Sequence, residues 1–283
     1  TVRPTVTINQ AVGQADPTNA SPINFTVVFS EIVTGFTDTD VVLTGTAGPT
    51  TALVTGSGAT YNVAVSGMVT NGTVIATVLV NAAVDAANNS SFPSTSADNT
   101  VTYDVTFPTV TIDQAATQFD PTGASPINFT VVFSEPMTVA SFTGADVLLS
   151  GTALPTTAVV TGSGTTYNVA VSGMTVSGTV IATIPAGGVQ DLAGNGNVAS
   201  TSIDNTVTYD ITRPTVTVEQ AIGQADPANG LPINFAVLFS EPVTGFTSAD
   251  VVLTGTAGAT TAVVTGGGTT YNIAVSGVTG SGT

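Results

Sequence analysis

Short runs in which apolar and polar residues alternate cover the whole chain. INFTVVFS (23–30), DVVLTG (40–45), TTALVTG (50–56), TYNVAVSG (60–67), GTVIATV (72–78) and NTVTYDV (99–105), with PTVTI (4–8) ahead of them, are rich in Val, Ile, Thr and aromatics. Period-two alternation in such residues predicts half-buried β-strands, because successive side chains on a strand point to opposite faces. Gly, Pro, Asn and Asp punctuate the runs, where turns use their backbone preferences. No stretch of ten or more residues carries the apolar period of an amphipathic helix.

The pattern is written nearly three times. PTVTINQAVGQADPTNASPINFTVVFSE (4–31) returns as PTVTIDQAATQFDPTGASPINFTVVFSE (108–135) and as PTVTVEQAIGQADPANGLPINFAVLFSE (214–241). A repeat of this length is a domain, and the expected domains are 1–106, 107–212 and 213–283. Seven short strands in about 105 residues predict an all-β fold of tandem immunoglobulin-like, seven-stranded Greek-key β-sandwiches arranged head to tail. The junction TYDVTFPTVTI (102–112) holds no Gly/Ser linker, and Pro4, Pro108 and Pro214 fix φ at each entry. A stiff connection is expected there. The third repeat reaches SGVTGSGT (276–283), where the others run on into GTVIATV (72–78) and GTVIATI (178–184). It is therefore expected to lack its last two strands. The expectation is that the chain is a piece of a longer repetitive protein, or that a neighbouring subunit supplies the strands.

PTVTINQA, QADPTNASPINFTVVFSE, VTGFTDTDVVLTGTAG and TYNVAVSGM, with DLAGNGN (191–197) and DNTVTYD (204–210), resemble the bacterial Ig-like domains of large surface and extracellular repeat proteins. The resemblance runs in register over the whole chain. It implies a structural or spacer role in an extracellular fibre, adhesin stalk or sheath, with an extracellular or cell-surface location. The partners it implies are neighbouring copies of the same repeat or subunit. The alternative is a surface binding module that presents Thr-rich strands such as TVT (5–7, 100–102, 206–208, 215–217) to a glycan, a cell surface or ice.

Composition narrows the chemistry. His, Cys, Lys and Trp are all absent. Most general bases, nucleophiles and zinc ligands go with them, so no enzyme is expected. Disulfides and lysine isopeptide staples are excluded as well. The net charge is −16, from 18 acids against only Arg3 and Arg213. No basic patch exists to neutralise phosphates, which sets nucleic acid aside. No apolar run approaches the length that inserts into a membrane.

The acids recur by position: Asp16/Asp120/Asp226, Glu31/Glu135/Glu241, Asp40/Asp146/Asp250, Asp85/Asp191, Asp98/Asp204 and Asp104/Asp210. Asp113 and Glu219 align with Asn9. An immunoglobulin topology puts Glu31, Asp40, Asp85 and Asp98 at the N-terminal end of a domain, with Asp16 and Asp104 at the opposite pole. At a head-to-tail seam, Asp16 and Asp104 then face Glu135, Asp146, Asp191 and Asp204. Asp120 and Asp210 take the equivalent places one domain on. Carboxylates crowded together repel unless a cation sits between them, and calcium accepts six to eight oxygens in flexible geometry. The twelve residues Asp16, Glu31, Asp40, Asp85, Asp98, Asp104, Asp120, Glu135, Asp146, Asp191, Asp204 and Asp210 are the candidate calcium ligands. The competing reading is that these Asp residues form turns, since DPTN, DNT and DLAGN are good turn sequences.

Overall fold

The structure is a computed structural model and describes every residue except Thr1 and Val139. The described residues are all-β, with antiparallel sheets, short turns of 3-10 helix and no α-helix. Among the described residues, no helix is long and apolar enough to cross a membrane. The chain divides into two compact units, Thr1–Asp210 and Ile211–Thr283.

The first unit contains two repeats, each with its own core. In the first repeat, β1 (Val6–Gln10), β2 (Ile23–Val33) and β4 (Thr51–Ser66) form one sheet, in the order β1-β2-β4. β3 (Val41–Thr44), β5 (Gly72–Val78) and β6 (Thr100–Tyr103) form the other, in the order β3-β5-β6. Alternate residues of both sheets meet in one core, with Ile8, Phe25, Val27 and Val63 from the first and Val74, Ala76 and Val101 from the second. The result is β-sandwich-like, and the buried positions are those the alternation predicts.

The second repeat follows the same plan. β7 (Val110–Gln114), β8 (Ile127–Phe133), β10 (Thr157–Ser163) and β11 (Thr166–Ser172) form a sheet in the order β10-β11-β8-β7. β9 (Leu148–Ser150), β12 (Gly178–Thr183) and β13 (Thr206–Tyr209) form the facing one. Here the fourth and fifth predicted strands are separate, as expected. In the first repeat they run together as β4, a difference from the expected count. Its ends still meet, with Thr50 N–H donating to Ser66 O at 3.1 Å. Gly56, at φ +117°, sits at the fold-back, where a Cβ would come within 2.8 Å of Thr60 O.

Three aromatic rings lock each core edge to face. Phe29, Phe36 and Tyr61 have centroids 5.2–5.9 Å apart, and Phe133, Phe142 and Tyr167 repeat the cluster. This is the favoured arrangement for ring quadrupoles. It accounts for the recurrence of these Phe and Tyr residues.

The second unit has a single sheet, β14 (Val216–Gln220), β15 (Ile233–Val243) and β16 (Thr261–Ser276), in the order β14-β15-β16. Residues 211–283 hold no counterpart of β5 and β6. The segment 251–254, equivalent to β3, carries no strand. A strand needs a partner for its backbone groups, and β3 has that partner in β5.

Candidate metal centre

Three carboxylates converge between the first two repeats. Asp104, Glu135 and Asp191 each offer one oxygen, and these oxygens lie within 4.8 Å of one another. All three were candidates from sequence, and each arrives from a different element. Asp104 follows β6 and is tied down by its own N–H, which donates to Thr18 O at 2.9 Å. Its Oδ1 accepts from Asn71 Nδ2 at 2.6 Å and from Thr106 N–H at 3.0 Å. Glu135 lies just beyond β8, where Ser134 N–H donates to Thr109 O at 2.9 Å.

Asp191 is held by a turn of its own making. Its Oδ1 accepts from Ala193 N–H and Asn195 N–H, both at 2.8 Å, and its Oδ2 accepts from Asn195 Nδ2 at 2.9 Å. The residue is buried. Asp85 builds the same turn in the first repeat, accepting from Ala87 N–H, Asn89 N–H and Asn89 Nδ2 at 2.7–2.8 Å. Those bonds, led by the Asn89 side chain, hold the Asp85 carboxyl below the ordinary aspartate range. The turn reading thus describes this class at both places, and the seam adds a second role to Asp191.

The seam is bonded as well as charged. Asn19 N–H of the first repeat donates to Ala193 O of the second at 3.0 Å, and Asn19 Nδ2 donates to Asn195 Oδ1 at 3.1 Å. Asn195 Nδ2 reaches back to Asp104 O at 3.0 Å. Sequence reasoning passed over both asparagines as turn formers. One signal was available, since the second repeat has Gly123 where the first has Asn19.

The other candidates have different work. Asp16 accepts from Thr102 N–H and Asp120 from Thr208 N–H, both at 2.9 Å, so each ties its own loop to the last strand of its repeat. Asp40 and Asp146 accept from the N–H and hydroxyl of Thr37 and Thr143 at 2.8 Å, closing short 3-10 turns. Asp98 and Asp204 act through their backbones. The Asp98 carbonyl accepts from Gln10 N–H and the Asp204 carbonyl from Gln114 N–H, both at 2.6 Å. Asp98 N–H donates to Asn9 at 3.3 Å and Asp204 N–H to Asp113 at 3.1 Å, which explains why a side-chain oxygen recurs at that position. Asp210 accepts from Ser177 Oγ at 3.1 Å within its own repeat. Glu31 is exposed on β2. Of the expected seam of Asp16, Asp104, Glu135, Asp146, Asp191 and Asp204, the structure brings together Asp104, Glu135 and Asp191, while Asp16 and Asp146 accept from amides of their own repeats.

Burial, together with the charges of Asp191 and Asp104, pushes the Glu135 carboxyl above the usual glutamate range. The folded state then holds this proton more tightly than the unfolded chain does. Stability falls as pH rises from the unfolded value through the folded one. Without added cation, Glu135→Gln should remove that pH slope. It should also raise the melting temperature at pH 7 by about 1–2 °C, given roughly 2–4 °C per kcal/mol for a unit of this size and a small, solvent-screened repulsion. Calorimetry across pH 4–7 checks both.

An all-oxygen set suits a hard cation rather than zinc or copper. The base nearest the chain start is no substitute, since Arg3 Nε donates to Ser90 O at 2.6 Å, Nη2 donates to Ser91 O at 2.8 Å, and the guanidinium lies 4.3 Å from the Phe92 ring centroid. The arrangement could hold a metal ion. No known family model matches the chain, and no curated protein matches it either.

Proposed function

We propose that this chain is a structural repeat segment of an extracellular bacterial fibre, adhesin stalk or sheath, a stiff spacer without catalytic activity. Calcium would be held at the seam by Asp104, Glu135 and Asp191. The observation that carries the reading is the seam, where three hydrogen bonds and three carboxylates join consecutive repeats across a junction with no flexible linker. The strand partition supports tandem Ig-like Greek-key domains. The order β10-β11-β8-β7 against β9-β12-β13 matches the four-plus-three partition of a constant-type immunoglobulin sandwich. Calcium would offset most of the charge of the three carboxylates and add bonds that exist only when both repeats are docked.

Thermal unfolding in calcium and in EDTA tests the cation. A ligand at about a hundred times its Kd adds roughly 2.7 kcal/mol, or about 5–10 °C here. Distances between spin labels on the first and second repeats test the stiffness. The expected distribution is narrow with calcium and broad in EDTA with Asn195→Ala. Identical melting curves would retire the calcium site, and a broad distribution in the calcium-loaded native chain would retire the spacer.

A further inference from the structure

The two repeats of the first unit finish the corner ahead of their first strand differently. In the first repeat the Arg3 guanidinium fills it. Nε donates to Ser90 O at 2.6 Å, and Nη2 donates to Ser91 O at 2.8 Å and to Asn81 Oδ1 at 3.0 Å, with the Phe92 ring centroid 4.3 Å away. In the second repeat the five equivalent places read Phe107, Gly196, Asn197, Gly187 and Val198. No cation is among them, and a depression of about 450 Å³ opens there with all five in its lining. Glycine makes the room. Gly187 and Gly196 stand where the first repeat has the side chains of Asn81 and Ser90, and a Cβ on Gly196 would lie 3.0 Å from Gly187 Cα.

The backbone that holds Arg3 is retained in the second repeat. Val84 faces Ser90, and Gln190 faces Gly196, in isolated antiparallel bridges. In both places the flanking residues carry the bonds. Ser91 N–H donates to Ala83 O and Asp85 N–H to Asn89 O, as Asn197 N–H does to Val189 O and Asp191 N–H to Asn195 O. The carbonyl of the bridged residue therefore points out of the pair. Ser90 O uses that freedom to accept from Arg3, whereas Gly196 O accepts from none of the described residues. The next carbonyl is equivalent too. Ser91 O accepts from Asn81 N–H at 3.0 Å and gives its second lone pair to Arg3, while Asn197 O accepts from Gly187 N–H at 2.8 Å.

We propose that this corner of the second repeat is a receptor for one arginine side chain of a partner protein. The guanidinium sits against the Phe107 ring and donates to Gly196 O and Asn197 O. The aromatic then comes from the chain entry and the cation from outside, the reverse of the first repeat. Phe107 is 63% exposed, which leaves its ring open to a partner. Charge favours a cation, since the chain carries 18 acids and only Arg3 and Arg213 as bases. Arginine fits better than lysine, whose ammonium is a point charge without the planar fork that spans two carbonyls and stacks on a ring. An apolar side chain would cover Gly196 O without giving it a donor.

The probe is the peptide acetyl-Gly-Arg-Gly-amide, titrated into the isotopically labelled full 283-residue chain and followed by NMR. The expected result is saturable shifts of the Gly196, Asn197 and Val198 amides with a millimolar Kd. The same peptide with citrulline, equal in shape but neutral, should bind about tenfold more weakly, as should one with norleucine. Phe107→Ala should weaken binding about three- to fivefold through loss of the ring. Phe107→Arg should abolish it by placing a guanidinium there in cis, as Arg3 does in the first repeat. The proposal is overturned by no saturable shift, by equal binding of the lysine, citrulline or norleucine peptide, or by undiminished binding to Phe107→Arg. It is also overturned if the shifts are confined to Asp104, Glu135 and Asp191, because the arginine then answers to the acidic cluster alone.

Discussion

Phe129→Ala should cost the second repeat about 3–5 kcal/mol, in line with deletion of a fully buried aromatic side chain. Phe25→Ala should do the same to the first. Phe235→Ala should cost about 1–2 kcal/mol, because only part of its apolar surface is removed from water. The comparison is unusually clean. Phe129 pairs with Gln114 and Val169 across its own sheet, and Phe235 pairs with Gln220 and Ile273. What differs is the second layer, present over Phe129 and lacking over Phe235. The gap between the two costs therefore measures what β5 and β6 contribute to a core. Calorimetry of the full chain, with hydrogen exchange assigning each loss to its repeat, provides the measurement. Equal costs at 129 and 235 would mean that the third sheet is covered in solution.

The strands were readable because alternation and burial share one cause. In INFTVVF the residues Ile127, Phe129, Val131 and Phe133 are all buried, while Val132 between them is exposed. The repeat then made every such reading available more than once. The seam was less readable because Asp serves turns and ligand sites with the same oxygens. Whether a given Asp turns inward or toward a neighbour depends on which amides its sheet edge leaves unpaired. Asp16 accepts from Thr102 N–H and Asp146 from Thr143, whereas oxygens of Asp104 and Asp191, although already bonded locally, still come within 4.8 Å of Glu135 and of each other. Asn19 was hidden for a related reason. DPTN is a sufficient turn sequence in isolation, and nothing within it announces a bond to a residue 176 positions away.

Asp191 carries two roles, and substitutions can separate them. Asp191→Ala leaves the Ala193 and Asn195 amides, both buried, without their acceptor. An unpaired buried donor costs about 1–3 kcal/mol, so the loss should reach about 2–4 kcal/mol, or roughly 4–16 °C in melting temperature. The damage has a route outward, because Thr138 Oγ1 donates to Asp191 O at 2.7 Å and the turn abuts Asn19 across the seam. Asp191→Asn keeps an oxygen for the two amides and removes a charge beside Glu135. Its Nδ2 then meets the Asn195 Nδ2 donor, so the cost should be nearer 1 kcal/mol. Both variants should abolish the calcium-induced rise in melting temperature. Asp85→Ala is the control. It breaks the same three bonds in the first repeat, away from the Asp104–Glu135–Asp191 cluster. It should lower stability by less, because the Ala87 and Asn89 amides are only part-buried and water can replace the lost acceptor, and it should leave the calcium response intact. If Asp85→Ala also erases that response, or Asp191→Asn preserves it, calcium acts somewhere other than this junction.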